Sequence, residues 1–166
     1  MSQNFLKRHC VLSGALAVAV LSFIVFWSSV QKDKLSDKGQ ANEELKTSSI
    51  SIGHKKIKAF VVDTPASRQK GLGARDSIAK NTAMLFVFDT PNFYQIWMKD
   101  MRFPIDIFWL QEARVVVDIK ENVSPSTFPE IFSPISPALY VLEANAGFAK
   151  ENSIKIGDKI YFSLDK

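Results

Sequence analysis

The sequence predicts a mainly β fold: a β-rich α+β domain, built as a compact antiparallel sandwich or a partly open barrel with one or two short helices. Beyond residue 50, apolar residues occur in short β-branched or aromatic segments separated by turn residues. Helical patterns are confined to two short stretches of this region. A further observation places a transmembrane helix before the domain, because residues 10–30 are largely apolar and free of charge.

Seven segments of the domain have the character of strands. Residues 84–88, MLFVF, form a continuous apolar run that is typical of a strand buried on both faces. Residues 94–99 and 105–110 are predicted to be two neighbouring strands joined by a turn, in which Pro104 favours an extended residue before it. The remaining segments are 57–63, 114–122, 138–144 and 159–164.

Two short helices are predicted. Thr64 can cap a helix that begins near Pro65, since proline suits the first turn, and Gly71 would end it. A second short helix fits within residues 145–154. Residues 124–137 contain four prolines, which is too many for regular structure, so an ordered loop is expected there.

Residues 10–30 are predicted to span a bilayer as an uncleaved signal-anchor. About 20 apolar residues in a helix cross a bilayer core, and this segment is long enough. Lys7 and Arg8 precede it, as in the charged start of an export signal. Cleavage stays an alternative, but the bulky residues Phe26 and Trp27 fit a cleavage site poorly.

The short N-terminal tail, residues 1–9, is expected to lie in the cytoplasm. More lysines follow the apolar segment than precede it, which favours the opposite orientation under the positive-inside rule. Long domains, however, translocate largely regardless of charge. We therefore expect a single-pass protein of the bacterial cytoplasmic (inner) membrane, whose C-terminal domain faces the periplasm or the exterior.

A polar linker is predicted between the membrane segment and the folded domain. Residues 31–49 are polar, charged and free of aromatic side chains, and the globular domain occupies residues 50–166. From Ser51 onward there are fifteen Lys and Arg against thirteen Asp and Glu. This near balance argues against a nucleic-acid surface, which needs a concentrated basic patch. The sequence identifies no particular protein partner.

Few catalytic chemistries fit the residues present. His54 is the one histidine of the domain and Cys10 is the single cysteine of the chain, which argues against the usual zinc sites and against triad catalysis. Residues 71–75, GLGAR, lack the setting and spacing of a phosphate-binding loop. We expect no metal and no cofactor. A carboxylate-only hydrolase would need two acids across a cleft, and the candidates are Asp100, Asp106, Glu121 and Glu143.

The order of the polar residues is similar to a family pattern. Arg68, Gly71 and Arg75 are followed by MLFVF, WMKDMRFPID, YVLEANAG and IKIGDKI. This order resembles the prokaryotic family named domain of unknown function 192, with the pattern R-x-x-G-L-M-x-R, G-M-L-F-x-F, W-M-K-N-T-x-x-P-L-D, V-L-E-x-x-A-G and G-x-x-x-G-D. The resemblance covers about residues 57–162. It implies a compact β-rich sandwich or barrel and no particular activity, since the family's role is unassigned.

This sequence departs from the family pattern at several positions. Gly73 stands where the family usually has Met, and Ala83 stands where Gly is usual. Asp100 and Met101 replace Asn and Thr, and Ser126 occupies a loop position that is often Cys. If the family site uses the Asn amide to bind a ligand, the acid at position 100 would change the ligand preference of that site.

Seven residues are candidates for a ligand-binding site: Arg68, Arg75, Trp97, Lys99, Asp100, Asp106 and Glu143. Lys99 and Asp106 fall at matched ends of two predicted strands, so they form either an ion pair that fixes the turn or part of a polar cleft. Trp97 either fills the core or stacks on a sugar ring. The arginines suit carboxylate or hydroxyl ligands, and salt bridges to Asp63 or Asp76 are the alternative.

These features indicate a membrane-anchored extracytoplasmic domain that binds a small polar or carbohydrate-like ligand, or an envelope partner. The alternatives are a carboxylate-dependent hydrolase or lyase that uses Asp106 or Glu143, and a purely structural accessory module. Binding requires Trp97 and Lys99 to line an open concavity. Catalysis requires two carboxylates facing one cleft, and a structural module predicts a large apolar surface patch. Glu143 can also meet an arginine of the first motif.

Overall fold

The computed structural model describes residues 46–164. The predicted tail and membrane segment, residues 1–30, lie outside the described residues, as does most of the predicted linker. Within the described part, no helix is long and apolar enough to cross a membrane. The signal-anchor therefore stays a prediction from the sequence.

The described part contains nine strands and two short α-helices. The strands are β1 (Thr47–Ile52), β2 (Lys55–Val62), β3 (Thr82–Asn92), β4 (Ile96–Trp97), β5 (Ile105–Leu110), β6 (Val116–Val123), β7 (Ile131–Phe132), β8 (Ala138–Asn145) and β9 (Ile160–Phe162). The helices are α1 (Pro65–Lys70) and α2 (Phe148–Glu151), and one 3-10 turn covers Pro125–Thr127. The expectation of a mainly β fold with two short helices is confirmed.

Seven of the strands form one curled sheet in the order β6-β5-β8-β3-β2-β1-β9. The two edge strands approach each other through a backbone bridge between Val115 and Lys159. There the amide of Val116 donates to the Asp158 carbonyl at 2.9 Å, and the amide of Ile160 donates to the Arg114 carbonyl at 2.9 Å. The sheet is therefore a half-barrel whose edges meet over a short length, which corresponds to the predicted partly open barrel and not to a sandwich.

One strand pair departs from the antiparallel expectation. Strands β2 and β3 are parallel, with Lys58 opposite Thr82 and Val62 opposite Phe86, whereas the other pairs are antiparallel. A parallel pair needs a crossover connection instead of a hairpin. Helix α1 and the loop after it supply that crossover, and this places α1 beside the sheet.

The predicted hairpin of residues 94–99 and 105–110 is wrong. Only Ile96–Trp97 is a strand in the first segment, and it pairs with Ile131–Phe132 of the proline-rich loop in a separate two-stranded sheet. Strand β5 pairs with β6 and β8 instead. The chain after Trp97 instead turns at Lys99 and Asp100, where Asp100 has a positive φ of 58°.

The first strand begins earlier than the domain boundary expected at residue 50. Strand β1 starts at Thr47 and alternates between exposed and buried residues, so it includes the last residues of the predicted linker. Ser48 faces inward, and its hydroxyl donates to the Ser163 carbonyl at 2.7 Å. A serine-rich segment has the composition of a linker. It can still form a strand of the domain, because a serine hydroxyl can be buried when it donates to a carbonyl acceptor.

The side chains of the central strands divide between two hydrophobic clusters on opposite faces of the sheet. One cluster contains Ile50, Leu85 and Phe108, and the other contains Phe86 and Ile107. Successive residues of a strand point to opposite faces, so Leu85 and Phe86 belong to different clusters. The predicted burial of residues 84–88 on both faces is confirmed for the first part of this run.

Candidate functional site: a groove over strand β8

Two adjoining cavities form a groove beside helix α1. The inner chamber has a volume of about 240 Å³, and the outer chamber has about 390 Å³. The inner chamber is lined by Arg68, Phe86, Phe88, Tyr94, Met101, Ile105 and Glu143 among others, and the outer chamber by Ala66, Ala74 and Asp100. Gln69, Lys70, Gly73, Trp97 and Lys99 line both, so the chambers are parts of one groove.

Helix α1 places Arg68 at the wall of the groove. The helix is fixed at its start by a capping box, in which the Ser67 amide donates to Thr64 Oγ1 at 3.1 Å and the Thr64 amide donates to Ser67 Oγ at 3.1 Å. Arg68 Nη1 donates to the carbonyls of Asp63 and Val87 at 2.7 Å each. The Arg68 guanidinium also lies 5.0 Å from the Phe88 ring centroid. Arg68 thus both holds the helix against β3 and contributes charge to the groove.

Glu143 lies on the floor of the inner chamber. It sits in β8 between Met84 of β3 and Ile107 of β5, and 5% of the residue is exposed. In the part of the chain that the structure describes, its carboxyl group forms no hydrogen bond and no ion pair, so the expected contact with an arginine is absent. Burial among apolar side chains raises the pKa of Glu143 to about 8. The group is therefore mainly a neutral carboxylic acid at pH 7.

Trp97 and Lys99 stand at the rim of the groove. Ile96 of β4 packs into the core, so Trp97 points outward and is 54% exposed. The alternative in which Trp97 fills the core is therefore wrong. Lys99 is exposed in the turn after β4 and lines both chambers. Lys99 takes part in none of the four ion pairs among residues 46–164.

Asp100 and Gly73 lie where the loop after α1 meets the turn after β4. The amide of Ala74 donates to the Asp100 carbonyl at 2.9 Å, and this bond joins the two segments. A Cβ atom on Gly73 would lie 3.0 Å from the Lys70 carbonyl and 3.8 Å from the Asp100 Cβ. Glycine therefore permits this close approach, and the absence of a side chain leaves room between the two chambers.

Asp106 is buried on the other face of the sheet from the groove. Its carboxylate accepts hydrogen bonds from the amides of Asn122 at 2.7 Å, Gly147 at 3.1 Å and Ala149 at 2.8 Å. The proposed pairing with Lys99 is wrong, because β4 does not pair with β5 and Asp106 faces away from the groove. Asp106 instead holds the start of α2.

Arg75 also lies apart from the groove. Its guanidinium is 5.6 Å from the Phe60 ring centroid, and it lines neither chamber. The sequence grouped it with Arg68 on motif spacing, but the loop after Gly71 carries it over β2. The four ion pairs of the described residues do not include the expected bridges from Arg68 or Arg75 to Asp63 or Asp76.

Several residues of the groove are not predicted by the sequence patterns. Phe88 and Tyr94 stack with their ring centroids 3.4 Å apart, and both line the inner chamber. The Tyr94 carbonyl accepts a hydrogen bond from Trp109 Nε1 at 2.8 Å, which ties this wall to the core. Lys70 was missed as well, although it ends the helix predicted to carry Arg68. Both residues lie close in sequence to predicted site residues, and this closeness is a signal that could have identified them. Tyr94 lies three residues before Trp97, and Lys70 lies two residues after Arg68.

The described residues offer no group of His, Cys, Asp and Glu side chains that could hold a metal ion. The groove contains hydrogen-bonding and charged groups together with aromatic rings, which is the composition of sites for small organic molecules. The arrangement can therefore hold a ligand through ring contacts at the rim and polar contacts at the wall and floor.

The fold and the groove define a small β half-barrel with an open concave groove beside helix α1. Residues 48–162 match the family model of domain of unknown function 192, described as Uncharacterized ACR. The chain belongs to this family, and the resemblance inferred from its motifs is confirmed. No curated protein is significantly similar to the chain.

Two solved bacterial structures are similar to this chain. One, from Sinorhizobium meliloti 1021, is described as a suggested transcription regulator; it is 26% identical with a TM-score of 0.65, covering 70% of this chain and 92% of that chain. The other, from Novosphingobium aromaticivorans DSM 12444, is described as a protein of unknown function. It is 27% identical with a TM-score of 0.63, covering 70% of this chain and 84% of that chain.

Proposed function

We propose that this protein is a membrane-anchored, extracytoplasmic domain that binds a small polar or carbohydrate-like ligand in the groove. The observation that carries the proposal is the carboxyl group of Glu143, which lines a groove with Trp97 and Lys99 at its rim and forms no ion pair with residues 46–164. Among these residues no buried side-chain oxygen lacks a hydrogen-bond partner, so the Glu143 carboxyl group is open to the groove. A ligand hydroxyl would form a hydrogen bond with it there.

A sugar-like ligand suits the remaining groups of the groove. A pyranose ring has hydroxyls around its edge and an apolar face of C–H groups, and aromatic rings pack well on apolar surface. Trp97 offers such a surface, since 54% of the residue is exposed. The near balance of basic and acidic residues in the domain gives no support to nucleic-acid binding.

The position of the carboxylates supports binding over hydrolysis. A two-carboxylate mechanism needs a second acid across the same cleft as Glu143. Asp106 faces the other side of the sheet, where three backbone amides donate hydrogen bonds to its carboxylate. Asp100 lines the outer chamber and not the inner one. The alternative of a carboxylate-dependent hydrolase or lyase therefore has less support than binding.

Ligand binding is tested by thermal unfolding of the full chain in detergent against a panel of monosaccharides and disaccharides. A ligand that binds the native state at about 100 times its Kd stabilises it by about 2.7 kcal/mol, so the unfolding temperature rises. Trp97→Ala and Glu143→Leu are each expected to abolish most of this rise, because leucine keeps the bulk of Glu143 but forms no hydrogen bond with a ligand hydroxyl. Proposed binding in the groove is overturned if both variants retain the full rise, or if the panel produces none.

Matched control variants separate loss of binding from general damage. Tyr161→Ala removes another aromatic side chain of similar exposure, 57%, that lines neither chamber. Glu121→Leu makes the same substitution at an exposed acid in β6. Both controls are expected to keep the rise in unfolding temperature that the wild-type protein gives with ligand.

The location of the domain is tested independently of binding. The apolar character of residues 10–30 supports an anchor, and the translocation of long domains largely regardless of charge supports a domain outside the cytoplasm. We expect a C-terminal alkaline phosphatase fusion to be active, because this reporter folds only after export, and the protein to stay with the membrane fraction. An inactive fusion would overturn the orientation, and release into the soluble fraction would overturn the anchor.

A further inference from the structure

The groove carries unpaired positive charge. Lys70 and Lys99 line both chambers, and Arg68 lines the inner one. The four ion pairs among residues 46–164 involve neither lysine. Asp100 is the one acidic residue of the outer chamber in this part of the chain. Ammonium groups near a concave surface attract anions and raise their local concentration.

Glu143 does not cancel this charge. Burial raises the pKa of Glu143 to about 8, so at pH 7 the floor of the inner chamber presents a neutral carboxylic acid. In this form the group can donate one hydrogen bond and accept others. A ligand that approaches the floor therefore meets a polar group that does not repel an anion.

The two chambers can hold different parts of one ligand. The five residues that they share form the passage between them, and Gly73 places no side chain there. Pockets for small organic molecules have volumes of roughly 300–1,000 Å³. The volumes of about 240 and 390 Å³ are therefore suited to one small molecule that reaches from the floor at Glu143 to the rim.

We propose that the ligand of this groove is an anionic sugar, with its carboxylate or phosphate group between Lys70 and Lys99, its ring against Trp97 and a hydroxyl at Glu143. This inference rests on the proposed function and deepens it by naming the class of ligand. The two lysines of the groove, which form no ion pair among residues 46–164, attract an anionic group more strongly than a neutral sugar. The ring and hydroxyl account for Trp97 and Glu143, which a simple inorganic anion would leave unused.

Calorimetric titration of the full chain in detergent with matched pairs of sugars tests the inference. The pairs are glucose with glucuronic acid, glucose with glucose 1-phosphate, and galactose with galacturonic acid. At least one acidic member is expected to bind about tenfold more tightly than its neutral partner, since one charge-assisted contact is worth about 1.4 kcal/mol or more. Lys70→Gln and Lys99→Gln are each expected to remove most of this preference, whereas Lys56→Gln, an exposed lysine outside the groove, is expected to keep it.

The outcomes distinguish this inference from the proposed function. Equal affinity for neutral and acidic partners would overturn the anionic class while the proposed function stands. Absence of binding by both members of every pair would instead overturn the proposed function. Inorganic phosphate or acetate that binds as tightly as the sugar acids would overturn the role of the sugar ring.

An oligomer of galacturonic acid distinguishes two sources of the same chemistry. Tighter binding of the oligomer than of the monomer indicates that the groove takes the acidic end of a polysaccharide. Equal or weaker binding of the oligomer indicates a free sugar acid. Both results support an anionic sugar, provided that the monomer or the oligomer shows the lysine-dependent preference.

Discussion

At the scale of single residues, two buried carboxyl groups of adjacent strands have opposite roles. Asp106 is fully buried and accepts three backbone hydrogen bonds, whereas Glu143 is nearly as buried and has no partner within residues 46–164. A carboxylate that accepts several amide hydrogen bonds recovers much of its lost hydration. Glu143 avoids the cost of a buried charge by holding a proton, which leaves it available to a ligand.

The protonation of Glu143 makes stability depend on pH. In the unfolded chain the acid ionises near the ordinary glutamate pKa of 4.5, but in the folded protein it stays protonated up to about 8. Unfolding therefore releases a proton between these pH values, and this group makes the free energy of unfolding fall by about 1.4 kcal/mol for each pH unit of increase. Below pH 4.5 and above pH 8 its contribution is constant.

Glu143→Gln is expected to remove this pH dependence. The free energy of unfolding of the variant, minus that of the wild-type protein, should rise as the pH increases from about 5 to about 8. Thermal unfolding followed by circular dichroism at each pH measures this difference. Glu121 is an exposed acid, so Glu121→Gln should show no such trend with pH. A constant difference across this range would contradict the buried, neutral state of Glu143.

At the scale of elements, helix α2 depends on a strand for its start. The helix has four residues, and Gly147 at its N-cap offers no side-chain cap. So short a helix is unstable by itself in water. The Asp106 carboxylate of β5 binds the amides of Gly147 and Ala149 and so acts as the missing cap.

Asp106→Asn is expected to destabilise the protein by about 2–3 kcal/mol, because one acceptor oxygen and its charge are lost while the amides stay buried. Chemical denaturation measures the loss, and hydrogen exchange at the amides of Gly147 and Ala149 should become faster. Asp89→Asn, at an exposed position in β3, is the matched control and should change stability by less than about 0.5 kcal/mol. Unchanged protection of both amides would contradict the capping role.

The elements that the sequence predicted well are those with strong local signals. Thr64, Pro65 and Gly71 bound α1 as predicted, because capping and proline preferences act within one turn of helix. The prediction for residues 94–99 is wrong about the pairing partner. These residues have apolar side chains that suit a strand, but β4 pairs with a segment of the proline-rich loop more than thirty residues away. Local composition predicts that a segment is extended, but it does not identify the strand that pairs with it.

At the scale of the whole described domain, the two edges of the sheet meet around Arg114. Its Nη1 donates to the Phe162 carbonyl of β9 at 2.6 Å, and its guanidinium lies 4.6 Å from the Phe162 ring centroid. The Arg114 carbonyl accepts a hydrogen bond from the backbone amide of Ile160. An exposed sheet edge invites pairing with another chain, and this closure covers part of both edges.

Arg114→Ala is expected to destabilise the protein by about 1–3 kcal/mol, since it removes the hydrogen bond and the ring contact that join the edges. Denaturant unfolding of the full chain in detergent measures the loss. Arg102→Ala is the control, because its ion pair with Asp76 is exposed on both sides and should contribute less than about 1 kcal/mol. If the two variants lose equal stability, the closure at Arg114 has no special role.

The sequence by itself determined the mainly β class, the two short helices, the family and five of the residues that line the groove. Those five residues are Arg68, Trp97, Lys99, Asp100 and Glu143, in or beside segments with strong motif signals. The sequence does not predict that Glu143 forms no ion pair with an arginine. These successes depend on local chemistry, namely alternation, capping, turn residues and motif order, all of which are present in the linear chain.

Only the tertiary structure decided which candidates share a site. Glu143 lies opposite Ile107 and Ala144 lies opposite Asp106, so the two acids are offset by one residue in the register of β5 and β8. Because side chains alternate between the two faces of a sheet, this offset of one residue sends Glu143 into the groove and Asp106 to the other face. Register depends on contacts between distant strands, and no single segment of the sequence contains it.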